Sequence, residues 1–459
     1  MIKYDIAVLG GGPGGYVAAI KAAQLGAKVV VVERERLGGL CLNWGCIPTK
    51  TLLVSARHYR DLLNSEEFGI TGVDVSNAKA DWNKVLDRKQ KVVDKLVNGI
   101  QMLFKKNKVD YLIAEGKLLD PNHLQVGDET IEFDNLIIAT GAKGITPDIP
   151  GYAESVESGF AIDSRGALTL QEMPQELVIL GGNVYACEYA TIFNTFGAKV
   201  TLIHRNKNLL PGADKELSQL LERQLKKSGV NILSESELTG FSDSEVSFIR
   251  KGKAESVIAD KALVFLGIEP NLDGLESLNL ELNLRGFIKT DDSLRTSVSH
   301  IYAVGDVNGT LPLAHVASAE GIVAAETIMG IVSKMNYNII PRVVYSFPEL
   351  ASVGISEEEA KDQGISYSVG KFPLMANSMA IAEEETTGFI KIISDNEYGE
   401  VIGVHMAAAT ASDMISKAAA IMQLEGTVYD LVKTVHPHPT FSEALVEAAL
   451  SITSKPINI

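Results

Sequence analysis

Cysteine and tryptophan are scarce in this chain, whose 459 residues include three cysteines and two tryptophans. Three cysteines, Cys41, Cys46 and Cys187, are too few for a disulfide-stabilised scaffold of this length. A cytosol keeps ordinary thiols reduced. We therefore expect any disulfide in this chain to take part in redox chemistry rather than to hold the fold together.

The chain also lacks long apolar runs and an excess of positive charge. Charged residues break its apolar stretches well short of the ~18 residues that a membrane-spanning helix needs. It has 42 Lys and Arg against 58 Asp and Glu, and the formal net charge of -16 disfavours nucleic acid or an anionic membrane as a partner. The first residues enter a strand-like run with no secretory signal, so we expect a cytoplasmic protein.

The strongest pattern is a repeated strand-turn-helix-strand unit. Residues 4–34 contain the turn Gly10-Gly-Gly-Pro-Gly-Gly15 and end their second strand at Glu33, and residues 177–205 repeat the unit and end in His204-Arg205. In such units one glycine permits the tight turn, one lets the backbone approach a pyrophosphate, and one lets the helix pack on the strand. The sequence therefore predicts two dinucleotide-binding starts in a chain long enough for about three domains.

Two further strands and a different carboxy-terminal part are predicted. Residues 135–141 and 296–306 each form a strand-like run. After Pro341 the pattern changes to strand-like segments at 342–355, 365–374 and 388–407, followed by helical periodicity at 411–426 and 441–453. This change predicts an α+β domain unlike the two before it.

Two cysteines lie four residues apart in Cys41-Leu-Asn-Trp-Gly-Cys46-Ile-Pro-Thr-Lys50. Two buried thiols or half of a zinc site are the alternatives, but the chain has no second cysteine pair to complete a zinc site. A cysteine at the start of a helix has a lowered thiol pKa. The segment, lying next to a dinucleotide site, therefore favours a reversible redox disulfide.

These residues resemble the class I pyridine-nucleotide disulfide oxidoreductases, and most closely the dihydrolipoamide dehydrogenase branch. The resemblance covers essentially the whole chain and implies an α/β fold with two Rossmann-like dinucleotide-binding domains plus a C-terminal α+β dimerisation domain. It rests on the amino-terminal GxGxxG with Glu33, the Cys-x4-Cys-Ile-Pro-x-Lys segment, Ala-Thr-Gly at 139–141, Gly-Asp at 305–306, and His436-Pro-His-Pro-Thr-Phe-Ser-Glu443.

The resemblance implies a division of the chain and a set of cofactor-binding residues. The division is an FAD-binding domain (first part) at 1–147, an NAD(P)-binding domain at 148–267, a central return segment at 268–336 and an interface domain at 337–459. FAD would be held by Gly10, Gly12, Gly14 and Gly15 at the pyrophosphate, Glu33 at the adenosine ribose, Lys50 near flavin N5, Asp306 at the ribityl chain, and Ala314 and His315 at the pyrimidine end. The remaining implied cofactor contacts are Gly116, Thr140, Gly141, Gly181, His204, Arg205 and Gly267.

The resemblance also implies the catalytic residues. Cys46 would be the charge-transfer thiol against the flavin and Cys41 the outer thiol that exchanges with substrate, with Lys50 and Glu188 beside them. His438 would act as acid and base on the disulfide of the other subunit, oriented by Glu443, and the His438-Pro439 bond suits a cis turn.

Several residues near these motifs have structural explanations. Thr440-x-x-Glu443 also fits a capping box for the last helix. We expect His436 to be structural and Cys187 to be a small buried apolar residue.

The second nucleotide unit departs from the family pattern. Asn183 and Ala186 stand at the middle and third glycine positions, and His204-Arg205, with Lys207 close behind, replaces the acid that accepts a bond from the ribose of NAD. Cations and an arginine fork suit a 2′-phosphate, so the sequence favours NADP(H) over NAD(H); a solvated basic turn is the alternative. Two other departures are Trp44 between the cysteines and Ile268-Glu269.

The predicted protein is a homodimeric FAD-dependent oxidoreductase that moves two electrons between a dihydrolipoyl dithiol, the Cys41–Cys46 pair, FAD and NAD(P). A lipoyl-bearing carrier protein of a multienzyme complex, on a separate chain, is the expected partner. The alternatives are an NADPH-dependent reductase of another substrate, similar to glutathione reductase or mercuric reductase, and a flavoprotein that acts mainly as a binding component of such a complex. The absence of carboxy-terminal cysteines disfavours mercury, whose ligands would be soft thiolates.

Overall fold

The computed structural model describes residues 2–459, which form one mixed sheet with parallel central strands, one parallel sheet, one antiparallel carboxy-terminal sheet, and two smaller sheets. This architecture confirms the predicted α/β class with two Rossmann-like units and an α+β part. No helix within residues 2–459 combines the length and apolarity needed to cross a membrane.

The amino-terminal part builds most of the first sheet. Its strands run in the order β3-β2-β1-β6-β5-β4, and both neighbours of β1 are parallel to it. The elements are β1 (Ile2–Leu9), α1 (Pro13–Gln24), β2 (Val29–Glu33), α2 (Gly39–Trp44), α3 (Cys46–Leu63), α4 (Trp82–Asn107), β3 (Asp110–Ile113), β4 (Gly116–Asp120), β5 (His123–Val126), β6 (Glu129–Ile138) and β7 (Ala142–Gly144).

The middle part builds a second parallel sheet in the order β11-β10-β9-β15-β8, and an antiparallel sheet of three strands, β12 to β14, packs beside it. The elements are α5 (Tyr152–Glu157), β8 (Ala161–Ile162), α6 (Ser164–Ala167), β9 (Glu176–Leu180), α7 (Val184–Thr195), β10 (Lys199–Ile203), α8 (Lys215–Lys227), β11 (Asn231–Leu233), β12 (Ser236–Phe241), β13 (Glu245–Arg250), β14 (Lys253–Ile258), β15 (Lys261–Val264) and β16 (Ile268–Pro270).

The chain then returns to the first sheet before it forms the carboxy-terminal sheet, in the order β18-β19-β22-β21-β20. The elements are β17 (Ile301–Ala303), which pairs with β6, α9 (Ala314–Ile328), β18 (Arg342–Val344), β19 (Glu349–Gly354), α10 (Glu357–Asp362), β20 (Tyr367–Pro373), α11 (Ser378–Ala382), β21 (Phe389–Asp395), β22 (Val401–Ala408), α12 (Ala411–Gln423), α13 (Val428–Lys433) and α14 (Glu443–Thr453).

The parallel strands are almost continuously apolar because helices cover both faces of their sheets. In β2 all five residues are buried, and its valines pair with β1 in register, with Ile6 opposite Val29. In the second unit Leu202 of β10 pairs with Ile179 of β9 in the same way. Both glycine-rich turns therefore lie at the carboxyl ends of buried parallel strands, where α/β proteins bind nucleotides.

Four predicted strands differ from the structure, and one of them is the run at 388–407, which a turn divides into β21 and β22. The run at 296–306 contains only the short strand β17, because Thr296 bonds back to the carbonyl groups of Val298 and Ile301 and turns the chain. The run at 342–355 is divided into β18 and β19, with a cis Phe347-Pro348 bond between them. The run at 135–141 belongs to β6, which begins earlier because it also pairs antiparallel with β5.

Candidate functional site

The first glycine-rich turn leaves no space for side chains. A Cβ atom at Gly10 would collide with the carbonyl group of Ala139, and one at Gly15 would collide with the carbonyl oxygen of Gly10. Gly10 also has φ +108°, a conformation that favours glycine. Gly12 caps α1 without a side chain that could occupy the free N–H groups of the first turn. These groups and the helix dipole form a cradle suited to a pyrophosphate.

Glu33 lies at the end of β2 and is buried beside this turn. One carboxylate oxygen accepts the backbone N–H of Gly11 at 2.7 Å, and the other accepts that of Glu35 at 2.8 Å. A carboxylate oxygen has more than one lone pair, so hydrogen bonds to a ribose remain available to it. Glu33 thus lies where the sequence predicted the adenosine ribose contact.

The second turn has the same geometry with different side chains. Gly181 has φ +127° and approaches the carbonyl group of Phe265 closely. Asn183 caps α7, since its Oδ1 accepts the N–H of Ala186 at 3.1 Å while its Nδ2 donates to the carbonyl oxygen of Phe265 at 3.0 Å. The side chain of Asn183 therefore replaces the middle glycine by using one of the N–H groups of the helix start.

His204 lies where Glu33 lies in the first unit. A Cβ atom at Gly182 would meet the ring of His204, just as one at Gly11 would meet Glu33. His204 is only 3% exposed, and neither ring nitrogen has a hydrogen-bond partner within residues 2–459. Burial lowers the pKa of its imidazole. Burial therefore disfavours a positive charge on His204, and the exposed Arg205 and Lys207 are the cations at this strand end; direct contact of His204 and Arg205 with a cofactor stays a prediction.

The redox segment begins in α2 and continues into α3. Cys41 lies in α2, Cys46 is the first residue of α3, and both carry free thiols. A hydrogen bond from the Cys41 thiol and the charge of Lys50 lower the pKa of Cys46, against the opposing effects of burial and Glu188. The same hydrogen bond and burial raise the pKa of Cys41. These effects favour the thiolate form at Cys46 and the protonated form at Cys41.

Lys50 connects the redox segment to the second unit. Its ammonium nitrogen lies 2.7 Å from a carboxylate oxygen of Glu188 in α7 and 4.6 Å from the ring centroid of Tyr345. The other oxygen of Glu188 accepts the backbone N–H of Tyr345 at 3.1 Å. Burial raises the pKa of Glu188, and the contact with Lys50 opposes that rise. The ion pair keeps a positive charge next to Cys46.

Replacing Lys50 with methionine is expected to raise the pKa of Cys46, because a positive charge that lowers it is removed. The rate of Cys46 alkylation in the dithiol protein, followed against pH by mass spectrometry, measures this pKa. Lys89→Met is the matched control, since Lys89 is also a buried lysine but donates to Leu168 elsewhere. An unchanged pKa in Lys50→Met would show that the Cys41 hydrogen bond alone holds the thiolate.

Asp306 projects from a 3-10 turn at Gly305–Asn308, directly after β17. Its carboxylate has no hydrogen-bond partner within residues 2–459, and burial raises its pKa to about 6. The buried Glu320 fixes this turn by accepting the N–H of Gly305 at 2.6 Å and the side-chain amide of Asn308 at 3.0 Å. A half-buried carboxylate without a hydrogen-bond partner among residues 2–459 fits the hydroxyl groups of a ribityl chain.

Ala314 begins α9, and His315 follows it with its Nε2 atom 2.9 Å from the carbonyl oxygen of Pro341. The cap residue, Leu313, makes no side-chain bond to the first turn, so the N–H groups of that turn are available to a ligand. The cradle, Asp306 and this helix start together provide the donors and acceptors that FAD requires.

Other predicted cofactor residues are explained by close packing. A Cβ atom at Gly14 would meet Val304 and the carbonyl group of Ala317, which allows α1 to pack on α9. Similar contacts explain Gly116, where a Cβ would meet Leu9 and Val32, and Gly267, where it would meet Ile145. Thr140 and Gly141 are both bonded to Asn271. Their direct contact with a cofactor stays a prediction.

His438 lies at a separate place in the carboxy-terminal part. Its Nδ1 atom is 2.9 Å from Oε1 of Glu443, and its side chain is 72% exposed. The backbone N–H of Thr440 donates to the other oxygen of Glu443 at 2.8 Å. Partial burial raises the pKa of Glu443, but the hydrogen bonds from His438 and Thr440 outweigh burial and lower it. Among residues 2–459, no hydrogen bond joins His438 to either redox cysteine.

Four further expectations concern the residues around His438, and Cys187 in α7. The Thr440 hydroxyl donates to the carbonyl oxygen of Pro437, so only half of the expected capping box exists, and Glu443 is the residue that makes it. His438-Pro439 is a cis bond, as expected. His436 bonds the carbonyl oxygen of Thr434, and Cys187 is fully buried.

Sequence patterns missed Glu320, Tyr345 and Arg165. Arg165 lies over the ring of Trp44, Glu320 bonds the turn that carries Asp306, and Tyr345 lies against the ammonium group of Lys50 in α3. The one available signal was Glu320 itself, a glutamate in the mostly apolar first half of α9.

Comparisons with known proteins agree with this geometry. Residues 4–321 match the pyridine nucleotide-disulphide oxidoreductase family, and residues 340–449 match the dimerisation domain of that family. A dihydrolipoyl dehydrogenase of Bacillus subtilis is 43% identical over 469 residues, covering 100% of this chain and 98% of that protein. One from Geobacillus stearothermophilus is 41% identical, with the same coverage.

A similar fold occurs in a solved structure, the Cu(II) complex of the HOCl-induced flavoprotein disulfide reductase RclA from Escherichia coli. It superposes with a TM-score of 0.87 at 26% identity and covers 98% of this chain and 99% of that one. The two family models together match most of the chain, and the two glycine turns and the cysteine pair lie within the first of them. The chain therefore belongs to the pyridine nucleotide-disulphide oxidoreductase family.

Proposed function

We propose that this protein is a dihydrolipoamide dehydrogenase that uses FAD and NAD(H). The observation that carries the proposal is the placement of the cysteine pair, with Cys41 in α2, Cys46 at the first position of α3, and the ammonium group of Lys50 one turn later paired with Glu188. The relatives named dihydrolipoyl dehydrogenase, which match over full length, support the substrate. We also propose the four-part domain division given above, since each glycine turn belongs to its own sheet.

In the proposed reaction His438 removes a proton from one thiol of the substrate. The resulting thiolate attacks the sulfur of Cys41, and Cys46 leaves as a thiolate. The second substrate thiol, once deprotonated, attacks the substrate sulfur of this mixed disulfide and releases Cys41, so the substrate becomes a disulfide and the cysteines gain two electrons. FAD, held by the glycine cradle and Asp306, would accept this electron pair and pass it to NAD+ as hydride, which would restore the Cys41–Cys46 disulfide.

His438 must reach the cysteines of another subunit in this proposal. The carboxy-terminal part supports a homodimer because it exposes several large apolar side chains, which mark an interface in a soluble protein. These side chains are Met375, Leu424, Tyr429 and Val435. The bond between His438 and Glu443 leaves Nε2 of the imidazole open toward such a partner. We further propose a lipoyl-bearing carrier protein as the source of the dithiol, and a cytoplasmic location, where the carrier complexes occur with reduced thiols.

Oxidation of free dihydrolipoamide with NAD+ by the purified FAD-loaded protein, followed at the absorbance of NADH, tests the function. We expect turnover with dihydrolipoamide alone and little with glutathione disulfide and NADPH. Turnover of glutathione disulfide at the higher kcat/KM would replace this proposal with a glutathione reductase-like function. A protein that binds FAD but turns over neither substrate would favour a binding role in a complex.

The buried His204 supports NAD(H), which revises the preference drawn from the sequence. A neutral imidazole has one donor and one acceptor and can bond a ribose hydroxyl, whereas a 2′-phosphate would bring its charge against an uncharged buried ring. A hydrogen bond between uncharged groups contributes about 0.5–1.5 kcal/mol. We therefore expect the wild type to have the higher kcat/KM with NAD(H).

Two variants separate His204 from Arg205. His204→Leu is expected to lower kcat/KM for NAD(H) by roughly 2- to 13-fold, the equivalent of one such bond. Arg205→Gln is the matched control and should leave NAD(H) kinetics unchanged, since Arg205 is exposed. A wild type that prefers NADP(H), with the preference lost in Arg205→Gln, would restore the original expectation.

A further inference from the structure

Trp44, the residue that departs from the family between the two cysteines, is held by a contact from the second sheet. The guanidinium carbon of Arg165 lies 4.3 Å from the centroid of the Trp44 ring. Arg165 belongs to α6, which packs on β8 and β15. Trp44 is the last residue of α2, so this cation–π contact joins the redox segment to the nucleotide-binding sheet.

Arg165 is itself fixed in orientation. Its two terminal nitrogens donate to the two carboxylate oxygens of Glu35, at 2.8 and 2.9 Å. The backbone N–H of Glu35 donates to Glu33, which also accepts the N–H of Gly11. A planar bidentate pair of this kind fixes geometry more than a single ion pair does. An unbroken set of contacts therefore runs from the first glycine turn to the ring of Trp44.

Fixing Trp44 restricts the positions of both sulfur atoms. Only Gly45 separates Trp44 from Cys46, and Cys41 lies one helical turn before Trp44. A Cβ atom at Gly45 would come within 2.8 Å of Leu40, so this joint is already tightly packed. A helix of six residues such as α2 has little stability of its own and depends on outside contacts. The Arg165–Trp44 contact supplies one.

We propose that Arg165 is a positioning residue which, through Trp44, holds Cys41 and Cys46 at the separation required for a disulfide and so favours the disulfide over the dithiol. The reason is effective concentration: two thiols held together form a disulfide more readily than two that separate. The inference rests on the proposed thiol–disulfide function. The side chains of Arg165 and Glu35 are both about half exposed, so their ion pair alone stabilises the structure little. The proposed effect therefore depends on the contact between Arg165 and the ring of Trp44.

Redox equilibration of the FAD-loaded protein with dithiothreitol tests the proposal. The Cys41–Cys46 disulfide and reduced dithiothreitol exchange to give the dithiol and oxidised dithiothreitol, and alkylation followed by mass spectrometry counts the thiols. We expect Arg165→Met to shift the equilibrium about fivefold toward the dithiol, which is about 20 mV for a two-electron couple. Trp44→Val should shift it equally, and the double variant should shift it no further.

Conservative variants and a matched control identify the contact. Trp44→Phe keeps an aromatic ring and should stay near wild type, whereas Arg165→Lys keeps the charge without the fork and should be intermediate. Arg60→Met is the control, because Arg60 lies 4.6 Å from the ring centroid of Phe347 and pairs with Glu385, at the other end of α3. It should not shift the equilibrium.

Each remaining outcome contradicts one idea only. An unchanged equilibrium in Arg165→Met, or an equal shift in Arg60→Met, would overturn the positioning role of Arg165. A shift in Trp44→Val without one in Arg165→Met would show that Trp44 acts without Arg165, and this also overturns it. A wild type that forms no Cys41–Cys46 disulfide at any dithiothreitol ratio would instead contradict the proposed function.

Discussion

Replacing Cys41 with serine is expected to lower turnover of dithiol or disulfide substrates by at least about 10³-fold. Loss of a reacting sulfur has an effect of this size in other enzymes that form covalent intermediates. In the proposed reaction Cys41 is the thiol that forms the mixed disulfide with the substrate. Cys46 remains in the variant with Lys50 nearby. The FAD-loaded variant should therefore keep the long-wavelength absorbance of a thiolate beside the flavin, although turnover is lost.

The reciprocal and control variants make this result specific. Cys46→Ser should lose both turnover and the long-wavelength absorbance. Cys187→Ala should retain both, because Cys187 is fully buried in α7 and its thiol takes no part in the proposed reaction. Steady-state kinetics and absorbance spectra of the three variants decide the assignment. Normal turnover in Cys41→Ser, or a long-wavelength band that follows Cys41 instead of Cys46, would contradict it.

The fold was predictable where local sequence and long-range structure agree. The unit at 4–34 contains an apolar strand, a glycine-rich turn, an alanine-rich helix and a second strand, and each of these features corresponds to an element of the structure. The repeat at 177–205 independently supports the prediction of a second strand-turn-helix unit, because Gly181 has a positive φ as Gly10 does. The strand at 296–306 was overestimated because the side chain of Thr296 competes with strand pairing, which an apolar pattern does not reveal.

The site was predictable only as far as its motifs extend. The segment at 41–50 indicates two thiols before a helix, but the effects that favour a thiolate at Cys46 come from the Cys41 thiol and from Lys50, whose ammonium group pairs with Glu188, 138 positions away in sequence. The burial of His204 likewise depends on the packing of its ring against Gly182. Both facts arise from tertiary contacts between elements distant in sequence, so no local spacing contains them.

The role of Trp44 also could not be predicted from the sequence, although the sequence marks the residue itself. The sequence marks it as a departure from the family, and its partner Arg165 lies 121 positions later in an unremarkable short helix. Neither residue belongs to a motif, and their contact exists only because α6 lies next to the end of α2. A residue that departs from a pattern is therefore best interpreted after its neighbours in space are known.

Replacing His438 with glutamine is expected to lower turnover of dihydrolipoamide by roughly 10²–10⁴-fold, the usual range for the loss of a general base. Glutamine can still donate to Glu443 but cannot take a proton from a thiol near neutral pH. FAD content should be unchanged because His438 is remote from the glycine cradle in sequence and makes no hydrogen bond to it. His436→Gln is the matched control and should stay close to wild type, since His436 bonds only the carbonyl oxygen of Thr434.

Mixed dimers determine which subunit supplies the base. In a dimer of one His438→Gln subunit and one Cys41→Ser subunit, a site shared across the twofold axis has one intact combination, made of Cys41 from the first subunit and His438 from the second. Such a dimer should recover about half of the wild-type activity, whereas either parent homodimer should be nearly inactive. Two different affinity tags allow the heterodimer to be purified and its composition verified. If His438 acted on the cysteines of its own chain, neither site would be intact, and the purified heterodimer would be as inactive as its parents.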